Sequence, residues 1–593
     1  MEQRNLILAI VLSVAILLGF QIFLAPKPSP VGDQAGPSAT TSAPQAPDAP
    51  APPSGDVVAP SPGTGAPATA VVTPRSRAEI LAATPRVRIE TPAVRGSIAL
   101  VGARIDDLVL KRYRETIDEN SPNIVLLSPP GSEHPYFADF RWTSSRNDID
   151  LPDATTRWQA DGKVLSPTQP ITLSWRNEQG LRFELRFEID DHYMFTVTQR
   201  VVNEGAAAVP LLPYGLISRT GTPKTLGYYI LHEGLLGVLD GTLKEVDYKD
   251  LRKNGLIQDQ TTGGWLGITD KYWLVALVPD QTRPVNARFV YSGRDNVDKY
   301  QADFLYQGAS VAAGSSTSVT SRLFAGAKEV TLLDRYRDEL GIARFDLAVD
   351  FGWFYFLTKP LFYALHYVAQ ITGNFGVAIL LLTVAIKLLF FPLANKSYNA
   401  MAKMRKLQPE IARLRERFGD DRQRLNQEMM ALYRKEGTNP VSGCLPIIIQ
   451  IPVFFALYKV MFVTIEMRHA PFFGWIKDLS APDPTSILNG FGLLPWMIPD
   501  LGPLNVLNIG AWPLVMGLTM FLQQKLNPQP PDPVQAKIFM FMPIMFTFLL
   551  AQFPAGLVIY WTWNNMLSIA QQYVIMRRAG VSIGGKGHKA GTV

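Results

Sequence analysis

The spacing of hydrophobic and polar positions changes several times along the chain, and each change marks a different kind of element. Leu6 to Ala25 is almost continuously apolar and, as a helix, spans ~30 Å, the thickness of a bilayer's hydrocarbon core. A cleaved signal peptide has a shorter apolar region and small residues before the cut, whereas Phe23 is bulky, so residues 1–25 read as an uncleaved transmembrane anchor. From about Arg75 to Phe345 the period is two. Leu181, Phe183, Leu185, Phe187 and Ile189 alternate with Arg182, Glu184, Arg186 and Glu188, the mark of a half-buried antiparallel strand. Ile171–Trp175 and Phe195–Val201 repeat the habit, and Asn203-Glu204-Gly205 is a turn signal. Residues 75–345 therefore predict a large β-sandwich, closing on a helix within Lys328–Phe345 that leads back to the membrane.

Residues 350–373 are aromatic-rich, interrupted by Pro360, and carry Lys359 and His366; they predict an amphipathic helix lying in the membrane interface. Gly376 to Pro392 is apolar except for Thr383 and Lys387. Beyond Pro392 the period becomes helical. Met401, Met404, Leu407, Ile411, Leu414 and Phe418 form one stripe. Gly419-Asp420-Asp421 is a turn, with Asp421 as N-cap of a second helix bearing Leu425, Met429 and Leu432 and ending near Gly437. The two stripes predict an antiparallel helical hairpin over residues 396–438. Further spans are expected at Gly443–Phe462, Ile509–Leu522, Ile538–Phe553 and Leu557–Tyr573, the last two joined at Pro554-Ala555-Gly556.

Composition adds the linkers and the topology. Residues 26–74 hold 13 prolines among Ala, Ser, Thr and Gly, too little apolar surface to offset ordering entropy, so they read as an extended tether. The net charge of +6 is modest for 593 residues, but its distribution is uneven. Eleven Lys or Arg lie between Lys396 and Lys435 against five acidic residues, among them Lys403, Arg405, Lys406, Arg413, Arg415, Arg417, Arg422 and Arg424. That excess predicts a cytoplasmic hairpin and a surface for acidic partners such as ribosomal RNA or anionic lipid. Parity then places the β-domain outside and both chain ends inside. The expected architecture is a six-span α-helical membrane protein, with a five-span core over residues 374–577 and a basic cytoplasmic tail over residues 578–593.

Candidate chemistry is sparse outside the membrane. His134, His192 and His232 are scattered, with no phosphate loop and no metal-ligand spacing, so no catalytic residue, metal or cofactor is expected. Cys444 is the sole cysteine, which excludes an intrachain disulfide. Within the spans, Lys387 stands out, because a charge in an apolar helix costs ~2.5–3.5 kcal/mol. It lies five residues before Pro392, hence roughly 8 Å inside the boundary. It could snorkel to the head groups or face a wet cavity. Gln450, Thr519, Thr547, Asn564, Asn565 and Ser568 also fall in the inner halves of their spans, whereas the outer halves are mostly aliphatic and aromatic. Scattered interhelical hydrogen bonds would account for such residues singly. Together with Lys387 they predict a polar cavity open to the cytoplasm and closed outside. An ion- or solute-coupled transporter is the alternative, but no internal repeat is visible. A membrane protease lacks a nucleophile with a buried base.

The stretch NKSYNAMAKMRKLQPEIARLRERFGDDRQRLNQEMMALYRKEGTNPVSGCLPIIIQIPVFFALY, with FPAGLVIYW near the end, resembles the YidC family of membrane-protein insertases. The resemblance covers anchor, tether, large domain, interfacial helix and core. It implies a non-enzymatic insertase and chaperone of a Gram-negative inner membrane, with a periplasmic β-supersandwich like that of sugar mutarotases. Its implied partners are nascent inner-membrane proteins, the Sec translocon, the ribosome with its targeting machinery, and anionic lipid, with no small-molecule substrate. The implied substrate groove comprises Lys387, Thr383, Gln450, Thr519, Thr547, Tyr560, Trp561, Asn565 and Ser568. Lys387 stands where the family has arginine, keeping the charge but not the bidentate fork. Trp561 replaces one of two adjacent family tyrosines, the other matching Tyr560. The loop from Ala481 to Asn508 is longer than the family's usual one, with no role implied.

Overall fold

The computed structural model describes residues 75–225, 231–294, 297–418, 421–437, 445–494, 496, 507–527 and 533–580. The expected anchor and tether, Gly419 and Asp420 of the expected turn, and the tail beyond Gly580 lie outside the described residues. The chain divides into two compact units, Met1–Gly55 with Gln529–Met542, and Asp56–Pro528 with Pro543–Val593. Of the first, only Pro533–Met542 is described, as helical turns. The sandwich and the site described below lie in the second.

The period-two segments become two sheets, one of 11 strands and one of 9, antiparallel except where 86–90 pairs parallel with 164–165 in the larger. In the smaller sheet Leu181–Ile189 pairs with Ile171–Arg176 on one side and Met194–Asn203 on the other. Register sets Phe187 opposite Val197 and Phe183 opposite Val201, and all four are fully buried. A one-residue slip would bring Arg182 and Glu184 into the core instead. The larger sheet runs from Leu256–Thr262 across Pro284–Arg294, Val297–Tyr306, Val209–Thr220, Tyr136–Thr143 and Ile105–Arg114 to the strands at 94–99, 86–90 and 164–165. Between the sheets lie Phe140, Phe183, Phe195, Phe289, Phe304 and Trp265, each contributing about 1.5–3 kcal/mol by burial. The sandwich also buries ion pairs between strands, Arg288–Asp303 the most deeply of those described. Arg288 and Asp303 face each other in register and meet through two bonds, Nε–Oδ1 at 2.9 Å and Nη2–Oδ2 at 3.2 Å.

Three short helices accompany the strands: α1 (Arg77–Ala83), α2 (Tyr248–Asn254) and α3 (Val330–Glu339). Ser76 and Glu79 close α1 in a capping box. Helix α3 is capped from a distance. The Val330 N–H donates to Glu466 Oε1 at 3.2 Å, while Glu329 accepts from Tyr113 and Tyr193 at 2.9 Å each.

Helix α4 (Tyr355–Thr372) is continuous, which corrects the interruption expected at Pro360. The proline forfeits one backbone bond, but the residues around it are anchored. Lys359 Nζ reaches Asp334 at 2.6 Å and Asp346 at 2.7 Å, and Phe362 and Leu365 are buried on the next turn. Burial opposes the charge on Lys359, yet the two carboxylates and the Tyr355 hydroxyl hold it above the ordinary lysine value. Helix α5 (Phe375–Leu389) starts on an Asn374 cap and meets α6 (Phe391–Phe418) at a 68° bend. Pro392 sits in the first turn of α6, where its missing N–H has no intrahelical partner to lose. Helix α7 (Arg422–Lys435) opens on Asp421, whose carboxylate accepts from the Arg424 N–H at 3.0 Å, and closes before Gly437 at φ 58°. Helices α8 (Leu445–Val463), α9 (Ala511–Leu526), α10 (Pro533–Leu550) and α11 (Ala555–Arg578) complete the chain.

Among the described residues no single helix is long and apolar enough to cross a membrane, and only the bent pair α5–α6 passes together. The expected six spans are thus not visible helix by helix. Helix α9 has 16 residues, roughly 24 Å at 1.5 Å per residue. Helix α11 is longer, but polar residues take up one of its faces. The stripe on α6 also divides. Tyr398, Met401 and Ala402 pack on Ile575 and Met576 of α11, while α6 also contacts α7.

Candidate functional site

Helix α11 carries Thr562, Asn565, Ser568 and Gln572, spaced three, three and four, so they share one face. All four are at least 97% buried, which obliges their polar atoms to find partners. Thr562 Oγ1 donates within the helix, to the Val558 carbonyl at 2.8 Å, while the other three reach neighbouring elements. Ser568 Oγ accepts from Lys387 Nζ of α5 at 2.8 Å and donates to the Asn564 carbonyl at 2.7 Å. Asn565 Nδ2 donates to Thr519 Oγ1 of α9 at 3.2 Å. Gln572 Nε2 reaches the Leu526 carbonyl at 3.1 Å and Asn527 Oδ1 at 3.0 Å. A turn and more away, Tyr560 accepts from Gln450 Nε2 of α8 at 3.0 Å. One helix therefore acts as a polar spine, with α5, α8 and α9 each joined to it by a side-chain hydrogen bond.

The balance of charge in this arrangement is one-sided. No salt bridge of the described residues involves Lys387, and its acceptor is a neutral hydroxyl. Asn564 Oδ1 and Gln572 Oε1 are buried acceptors without partners among the described residues. The face thus offers a cation and exchangeable neutral bonds.

Trp561 lies on an adjoining face, its ring 4.7 Å from Phe454 and 5.5 Å from Phe546. Thr383 and Thr547 are buried but bond within their own helices, to the Ile379 and Pro543 carbonyls at 2.6 and 2.8 Å. Thr547 packs where α9 has Gly517. A Cβ there would lie 2.0 Å from the Thr547 hydroxyl, so this close approach requires glycine. Thr562 and Gln572 escaped the reading of the sequence, although their helical spacing from Asn565 and Ser568 was a signal available to it.

The basic residues of α6 and α7 separate into two groups. Lys403, Arg413, Arg417 and Arg424 are exposed and enter no salt bridge among the described residues, while Arg415 is half-buried. Arg417 and Arg424 both lie over the Phe418 ring, at 5.4 and 5.3 Å. The half-buried Arg405 and the exposed Lys406 instead bond to helix ends. Arg405 donates to the Leu526 carbonyl at 3.2 Å and Lys406 to that of Ala579 at 2.9 Å, placing cations at the C-terminal ends of α9 and α11 where the helix dipole favours them. The side chain of Arg422 lies outside the described residues.

Comparison with known proteins gives a consistent family. Residues 86–364 match the family described as YidC periplasmic domain, and residues 367–581 the one described as 60Kd inner membrane protein. The membrane protein insertase YidC of Methylorubrum extorquens (strain PA1) is 52% identical over 98% of this chain and 96% of that protein. Its namesake in Bradyrhizobium diazoefficiens is 51% identical, over 98% and 97%. Among solved structures, the chain is similar to an active YidC insertase with its first transmembrane domain resolved, at 17% identity and a TM-score of 0.34, covering 83% of this chain and 94% of that one.

Proposed function

The chain belongs to the YidC family of membrane protein insertases, and we propose that it inserts inner-membrane proteins through a polar groove built on α11, open to the cytoplasm and to lipid. The observation that carries this reading is the pairing of Lys387 with Ser568, beside two unpartnered acceptors on the same helix. Gln450, Tyr560, Thr519, Asn565 and Trp561 would line the groove, with Thr383 and Thr547 in its walls. The relatives are named insertases, which gives the transporter alternative no support.

The mechanism is physical. A polar segment crossing an intact apolar core costs ~2.5–3.5 kcal/mol per charge. A groove that admits water and polar chain part of the way shortens that barrier. Lys387 can exchange the Ser568 hydroxyl for a substrate carboxylate, a stronger charge-assisted bond. Gln450 and Tyr560 can likewise exchange their neutral bond for the substrate backbone. Burial of the substrate's apolar helix in lipid, ~0.8 kcal/mol per CH₂ group, then drives completion. In this topology the chain has six spans, with both ends cytoplasmic and the β-domain periplasmic. The exposed cations of α6 and α7 face the ribosome and anionic lipid, and the Sec translocon is a lateral partner.

Photocrosslinking probes at Gln450, Trp561 and Thr383 test the groove during synthesis of a small membrane protein. Gln450 and Trp561 should capture the nascent chain, and the buried Thr383 should do so more weakly. Absence of substrate adducts at both Gln450 and Trp561, with insertion intact, would remove the groove.

A further inference from the structure

The segment from Asp483 to Trp496 contains no charged residue after Asp483 itself. It exposes large apolar side chains: Leu493 is 88% exposed, Trp496 53%, Ile487 51%, and Phe491 and Leu494 41% each. Its tip is tightly folded, with Gly490, Phe491 and Gly492 all at positive φ. Several of its polar groups are bonded within the segment. Trp496 Nε1 donates to the Leu488 carbonyl at 3.2 Å, and Asn489 Oδ1 accepts from the Gly492 N–H at 3.0 Å. The large side chains it exposes are hydrocarbon and ring.

The height of this segment is set by two helix ends. Asp483 accepts from the Trp512 N–H at 2.9 Å, and Thr485 Oγ1 accepts from the Ala511 N–H at 2.9 Å, so the segment caps α9. Asp483 packs so closely on Gly510 that a Cβ there would lie 2.6 Å from its own. Just upstream, the Leu479 and Ala481 carbonyls accept from the first N–H groups of α11, at 3.0 and 2.7 Å. The tip therefore cannot rise far from the plane in which α9 and α11 begin. Down α9 the apolar surface continues through Val515 and Leu518, 42% and 58% exposed.

We propose that residues 483–494 and Trp496 form a lipid wedge, seated in the interface of the extracytoplasmic leaflet beside α9. A protein interface commonly surrounds its apolar core with a polar, charged rim, and the described tip carries no charged side chain. A lipid interface requires no such rim, and favours an uncharged, tryptophan-bearing surface. Seated there, the wedge would disturb lipid packing beside α9. The inference rests on the reading of α9 as a span.

The test uses the full-length protein with Cys444→Ser and single cysteines carrying an environment-sensitive nitrobenzoxadiazole dye, in phosphatidylethanolamine and phosphatidylglycerol vesicles. At Leu493→Cys the emission should shift to the blue, be quenched by lipids spin-labelled near the head group, and resist aqueous iodide. Ile117→Cys, on the sandwich and 57% exposed, should show the reverse. Leu518→Cys should respond to more deeply placed spin labels. Iodide quenching at 493 with lipid quenching at 518 would overturn the wedge and leave the span standing. Iodide quenching at both would overturn the span and the wedge with it. Shielding of 493 only after a nascent chain or partner protein is added would show a protein-docking surface, and would also overturn the proposal.

Discussion

Lys387 Nζ and Ser568 Oγ lie 2.8 Å apart, although 181 residues separate them in the chain. The acceptor is neutral, so the charge is held in place without being cancelled. That leaves Lys387 able to exchange partners in a way that a buried ion pair could not.

Lys387→Arg should therefore retain insertion. Lys387→Leu should slow substrates with charged translocated tails by about tenfold, the equivalent of one charge-assisted hydrogen bond at ~1.5 kcal/mol. Substrates with neutral tails should be affected much less. Insertion assays on a matched pair of substrates read the difference, and equal loss for both would count against recruitment by charge.

The two groups of hairpin cations should separate in experiment. Replacing Arg413, Arg415 and Arg417 together with Glu leaves Ile411, Leu414 and Phe418 in place, so helicity should persist while co-sedimentation with ribosomes or acidic liposomes falls. The wild-type association should itself weaken as salt is raised. Unchanged association with an intact circular dichroism spectrum would leave these arginines as a solvated face. Arg405→Ala and Lys406→Ala should do the opposite, each lowering thermal stability in detergent by about 0.5–1.5 kcal/mol with association retained.

Glu466 gives the junction between sandwich and helices a pH dependence. Burial pushes its carboxyl up to about 7, with the nearby Glu329 adding to the rise and the Val330 N–H opposing it. Its Oε2 is buried without a partner among the described residues. A carboxyl raised in this way binds its proton more tightly when docked. The contact is then strongest below the unfolded value of about 4.3 and weakens as pH rises through 7. Amide exchange at Val330 to Leu333, corrected for intrinsic base catalysis, should show protection falling between pH 6 and 8. Glu466→Gln should flatten that dependence, and a slope unchanged by the substitution would assign it elsewhere.

Residues 26–74 should act as a spacer. Deleting about half of them should leave insertion intact, because a proline-rich coil is extended enough for a shorter one still to span the gap. Loss of insertion at normal protein levels would reveal a binding segment.

The sequence alone determined whatever depends on local periodicity and backbone chemistry. Strict alternation in Leu181–Ile189 specifies a strand with one buried face. Asp421 before α7 and Gly437 after it mark helix ends through a side-chain cap and a positive φ, and both act within a few residues. The resemblance carried by residues 395–458 reached the family for the same reason, since it depends on the order of residues. Tertiary structure decided which groups meet across the chain. It engaged Arg405 and Lys406 with helix C-termini that lie 121 and 173 residues away, where their composition had suggested free cations. It satisfied Thr383 and Thr547 within their own helices, and added Thr562 and Gln572 to the polar face. It also tied the uncharged segment at 483–494 to the starts of two helices. Periodicity records which face of an element is apolar. Partner choice depends on packing between elements far apart in sequence, and no local pattern encodes it.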